Sequence, residues 1–140
     1  MAKRRRGSRS GRLDSRPRPT RHRPFEDLVA EAVDAIPMPF AEALDEVAVV
    51  IEDEPTSEQV ERNELAPGET LYGLYEGVPR TAWGADWAPV PNRITLFRLP
   101  LEADFADPDD LADEVWSTVL HELAHHLGID DDRLEELGYD

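Results

Sequence analysis

The sequence predicts an α+β fold in which a small mixed sheet packs on helices, one of them long. Three observations carry this. Residues 47–51, 70–75 and 93–99 are β-branched or aromatic runs of strand length. From Phe25 onward, apolar residues recur at helical spacing. A capped helical stretch of about 20 residues opens at Asp107 and meets Gly128.

Two segments are expected: a basic tail over residues 1–24 and a single domain over residues 25–140. The tail carries Lys3 and nine arginines against the single acid Asp14, a charge of +9, which leaves −25 for the rest of a chain whose net charge is −16. Arginine interleaved with Ser, Gly and Pro buries too little apolar area to offset the entropy of ordering, so the tail is expected to be disordered. Two roles suit it. It is either a weak electrostatic contact for nucleic acid, releasing counterions from phosphates, or a solvated arm that folds back on its own acidic body. The second is favoured, because no aromatic stacking residue accompanies the arginines.

In the domain, Phe25, Leu28, Val29, Val33 and Ile36 mark an amphipathic helix that stops at Pro37. A short second helix is expected over residues 39–46, followed by the strand at 47–51. Thr56-Ser57-Glu58-Gln59 has the composition of a capping box opening a helical turn. The strand at 70–75 comes next, then a loop over residues 77–92 whose Trp83 and Trp87 are expected to line a cleft or to form a lid packed on the core. RITLFRL at 93–99 is expected either to edge the sheet, where an extended peptide can pair with it, or to be an ordinary core strand.

The long helix is well specified at both ends. Asp107 suits the N-cap, Pro108 the first helical position, and Asp109 and Asp110 complement the positive end of the helix dipole. Within it stands His121-Glu122-Leu123-Ala124-His125. Histidines four apart project from one helical face and can offer ring nitrogens to a single ion, with the intervening glutamate in reach of a water on it. On a wheel, Ala112, Trp116, Val119, Leu120, Leu123 and Leu127 form an apolar arc nearly opposite the two histidines, so the helix is expected to bury its rear and turn the histidines toward an opening. His126 points elsewhere and is expected behind the site or on the surface. Gly128 and Asp131 extend the pattern to HExxHxxGxxD, which chance produces in a chain of this composition about once in ten thousand shuffles.

Residues 121–131 resemble the zincin metallopeptidases, and more closely the small bacterial family of minimal zincin-like metallopeptidases. The acid-flanked VVIEDEP strand, the LYGLYEG segment and the RITLFR strand extend the resemblance to residues 25–140. It implies a bound Zn²⁺ ion, a minimal zincin fold and hydrolysis of a peptide or protein substrate. His121 and His125 are then metal ligands and Glu122 the general base. Asp131 is expected as the third ligand, with Asp130 as the alternative, since one of the aspartates at 130–132 must cap a short helix over residues 133–137. Asp131 stands where the extended metzincin motif carries histidine, and the only methionines, Met1 and Met38, lie upstream. Tyr72, Tyr75 and Tyr139 are equal candidates for stabilising an oxyanion. The rival functions are a zinc-binding interaction module without turnover and a nucleic-acid-associated protein acting through its tail.

Composition excludes other classes. No cysteine is present, so disulfides, thiolate zinc sites and cysteine nucleophiles are ruled out. No apolar run approaches the roughly 20 residues that span a bilayer, and no hydrophobic stretch follows the basic start. A cytoplasmic, soluble protein, monomeric by default and without a membrane partner, is expected.

Overall fold

The computed structural model describes residues 2–4 (backbone only), 24–77 and 92–139. Trp83 and Trp87, and the tail over residues 5–23, lie outside the described residues. The element order is β1 (Ala2–Arg4), α1 (Phe25–Asp34), α2 (Phe40–Ala43), β2 (Val47–Glu52), α3 (Ser57–Arg62), β3 (Leu71–Glu76), β4 (Asn92–Phe97), α4 (Arg98–Asp104), α5 (Pro108–His126) and α6 (Asp131–Glu136). The α+β class is thus observed, with the sheet order β1-β3-β4-β2.

Three strands form where the β-branched runs predict them. β2 pairs parallel with β4, Val49 opposite Ile94, and β3 pairs antiparallel with β4, Leu74 opposite Thr95. RITLFR is therefore an interior strand with both edges taken. The expectation that it could edge the sheet is corrected: its backbone already bonds to β2 on one side and β3 on the other. The strand also ends earlier than expected, at Phe97. Pro100 sits in the first turn of α4, where its missing N–H costs nothing, and Arg98 pairs with Glu102 one turn on in the same helix (2.9 Å) and ties the helix to Asp53 after β2 (2.7 Å). A further strand lies where disorder was expected: Ala2–Arg4 pairs antiparallel with β3.

Helix α5 is the axis of the fold. It packs on α1, α2 and α4 and lies against β1, β3 and β4. Its start is as anticipated, with Asp107 Oδ1 accepting from the amides of Asp109 (2.8 Å) and Asp110. Its burial is broader than the apolar arc. Leu111, Val115, Thr118, Val119, Leu120, Glu122, Leu123, Ala124 and His126 are all buried, because helices cover one side and the sheet the other. The helix comes close to the sheet at Gly73 of β3. A Cβ there would lie 2.5 Å from Thr118 Cγ2, so only glycine lets the helix come this near. The core assembled around α5 includes Phe25, Leu28, Phe40, Ile94, Leu96, Leu101 and Leu134. Among the described residues, no helix is long and apolar enough to cross a membrane.

Candidate active site

The HExxH residues occupy the last turns of α5. The ring orientation of His121 follows from one contact: its Nδ1 lies 2.7 Å from the carbonyl oxygen of Ser117, one turn earlier. A carbonyl can only accept, so Nδ1 carries the proton and Nε2 keeps its lone pair. His125 is arranged in the same sense. Its Nδ1 donates to Glu122 Oε2 at 3.3 Å, and its Nε2 is buried with no hydrogen-bond partner among the described residues. Both rings thus present the nitrogen that a metal takes, each held by a contact to the other nitrogen.

Glu122 is fully buried, and its Oε1 also lacks a partner among the described residues. Thr118 Oγ1, one turn before it, is in the same condition. Buried polar atoms without partners are few in folded proteins and each calls for a cause. Thr118, Glu122 and His125 follow one another along a single helical face, so three of them line one side of α5.

The chain then doubles back. Gly128 adopts φ 76°, a left-handed conformation that glycine enters without strain, and the turn is closed by Ile129 N donating to Ala124 O at 2.8 Å. Of the aspartates beyond it, Asp130 is the N-cap of α6, its Oδ1 accepting from Arg133 N at 2.8 Å. Asp131 is left free of the capping role, and its Oδ1 lies 3.6 Å from His125 Nε2. The structure therefore brings His125, Glu122 and Asp131 together. His121 stands one turn behind on the same helix. Among the described residues, no three His, Cys, Asp or Glu side chains already converge to hold a metal. The donor chemistry fits zinc nevertheless: the Nε2 atoms of two imidazoles on one helical face, that of His125 orphaned and buried, and the Asp131 carboxylate beside it.

His126 lies neither on the surface nor loosely behind the site. It is fully buried, with Nδ1 2.8 Å from the Tyr75 hydroxyl and Nε2 2.7 Å from Glu46 Oε2. Tyr75 OH also reaches Asn92 Oδ1 at 3.3 Å. One network thus ties the end of α5 to β3, β4 and the entry to β2. Burial, and next the charge of Glu46, push the Tyr75 phenol up to about 12 from its ordinary 10.0. Sequence reasoning missed this network; the doubled histidine, His125-His126, was its only local trace. The other tyrosines serve elsewhere, Tyr72 hydrogen-bonding Asp104 and Tyr139 packing edge-on to Phe40.

A long helix presenting HExxH beneath a small mixed sheet, with an acidic return after a glycine turn, defines the zincin-like class. The family model described as zincin-like metallopeptidase matches residues 44–139, more than half of the chain, and the protein belongs to that family. A search of curated proteins finds no match.

Proposed function

We propose that the protein is a zinc-dependent peptidase in which His121, His125 and Asp131 hold the ion and Glu122 is the general base. The observation that carries this reading is the pair of buried, unpartnered atoms Glu122 Oε1 and His125 Nε2 on adjoining turns of α5. A helix evolved only for packing would satisfy or remove such atoms, since each unsatisfied buried group costs about 1–3 kcal/mol. A site that receives an ion and a water gives both atoms their partners.

When bound, zinc supplies Lewis acidity, making water more acidic and polarising the carbonyl of a scissile peptide. The chain's own residues do the rest. Ser117 O holds His121 in the tautomer that leaves Nε2 open, and Glu122 Oε2 does the same for His125. Glu122 Oε1 is the free oxygen that takes a proton from the attacking water and returns it to the leaving amine. Burial of the carboxylate keeps bulk water from competing for that oxygen.

The test is Glu122→Ala in zinc-loaded protein. The variant is expected to retain one equivalent of zinc by metal analysis and to lose hydrolysis of a casein substrate altogether. Loss of the metal, or cleavage at the wild-type rate, refutes the role given to Glu122. Retained zinc with no hydrolysis by the wild type favours the rival reading of a zinc-binding module without turnover.

A further inference from the structure

The position of β1 has a consequence for access to the site. β3 runs alongside α5, Gly73 facing Thr118 and Tyr75 facing His126 two turns further on. Measured around the helix from Thr118, at about 100° per residue, His126 lies at about +80°, His125 at about −20° and His121 at about −60°. Asn92 of β4 bonds Tyr75 over His126, so β4 flanks β3 on the positive side. The opposite edge of β3 therefore overlies the side of α5 from which His121 and His125 project. That edge is where Ala2–Arg4 pairs, Ala2 opposite Leu74, Lys3 opposite Gly73 and Arg4 opposite Leu71, with Tyr72 skipped in the register. β1 itself lies against α5.

We propose that residues 2–4 are an intramolecular occupant of the β3 edge beside the metal-binding face, and that they exclude an extended peptide from it. The proposal rests on the peptidase reading for its meaning but not for its test. Two features favour a displaceable occupant over a permanent part of the sheet. The strand is only three residues long, and its register is broken by a skipped residue. Main-chain pairing is indifferent to sequence, so whatever pairs with β3 in an extended form competes for the same N–H and C=O groups. Residues 2–4 of the basic segment thus pair with their own chain.

The experiment compares the zinc-free full chain with the full-length Ala2→Pro/Lys3→Pro variant. In an antiparallel ladder alternate residues face the partner, so the double substitution removes a ladder N–H whichever residue supplies it. Hydrogen exchange of the amides in Leu71–Leu74 that face β1 is expected to quicken at least tenfold in the variant, with the amides paired to β4 and those of α1 unchanged. Equal exchange overturns the proposal, and so does quickening throughout the protein, which would make β1 part of the fold. A labelled hexapeptide of residues 1–6 is expected to bind the variant at least tenfold more tightly than the wild type. Equal binding would mean simple charge attraction and overturns it. In zinc-loaded protein the variant is expected to lower KM for casein with kcat unchanged. Absence of hydrolysis in both proteins refutes the peptidase reading alone, because exchange and peptide binding still decide the occupancy of the edge.

Discussion

Gly73→Ala tests how closely the sheet dictates the position of α5. The added methyl would lie 2.5 Å from Thr118 Cγ2, 3.4 Å from Thr95 O and 3.6 Å from Leu96 Cδ2. The last two are tolerable, but carbon atoms in contact prefer about 3.5–4.0 Å, so the first leaves a deficit of roughly 1 Å or more. Thr118 has little room to swing aside, because it is fully buried and its methyl is wedged between α5 and the sheet. The helix must move away from the sheet. Overpacking of this kind costs about 1–3 kcal/mol, and replacing a strand glycine by alanine returns about 0.5–1 kcal/mol. A net loss of about 1–2 kcal/mol is expected, which at an m-value of about 2 kcal/mol/M lowers the urea midpoint by roughly 0.5–1 M. Thr118→Ser removes the clashing methyl and by itself costs about 0.8 kcal/mol, the worth of one buried CH₂ group. In the double variant the clash is gone and the gain of about 0.5–1 kcal/mol from replacing glycine remains. It should therefore be more stable than Thr118→Ser alone by that amount, and the cycle should show about 1–3 kcal/mol of coupling, the overpacking cost. A Gly73→Ala midpoint within about 0.2 M of the wild type, or strictly additive costs, refutes the close-approach argument.

Two further outcomes follow from the site. Asp131→Ala should weaken zinc binding, read by chelator competition, by more than the 10–100-fold typical of a residue behind the ligands, whereas Asp130→Ala should cost about 1 kcal/mol of stability as a lost helix cap and change affinity little; equal affinities would place the third ligand elsewhere. The Tyr75 phenol should ionise at about 12, and because the folded state holds this proton to higher pH than the unfolded chain, its contribution to stability is intact below pH 10 and is lost as pH rises toward 12; a Tyr75→Phe variant with an unchanged phase near pH 12 in its phenolate absorbance would show the proton to belong to another residue.

The parts of this molecule that were legible in its sequence are those set by local rules. Asp107 and Pro108 fix where α5 begins, the Thr56–Gln59 capping box forms reciprocally as its composition implies, and the β-branched runs become β2, β3 and most of β4. Helix α4 was hidden because RITLFRL alternates like a strand up to the point where Pro100 and the Arg98–Glu102 pair take over. The long-range features left no local trace. His126 meets Glu46 across 80 residues and Tyr75 across 51, and a helical wheel, which divides a helix into a wet and a dry face, fails for a helix covered on both sides.

The choice between Asp130 and Asp131 shows where local reasoning stops. Both follow the glycine turn, both are acidic, and either could begin a helix. The extended backbone of Asp130, with φ −82° and ψ 172°, returns its carboxylate to the amide of Arg133. A carboxylate so engaged is aimed along its own helix, and the next residue, already in the first turn, is rotated about 100° away from it. That rotation leaves Asp131 Oδ1 3.6 Å from His125 Nε2. On the proposed reading of Asp131 as a ligand, capping and ligation fall to two adjacent aspartates, because the Asp130 carboxylate is already engaged by the amide of Arg133.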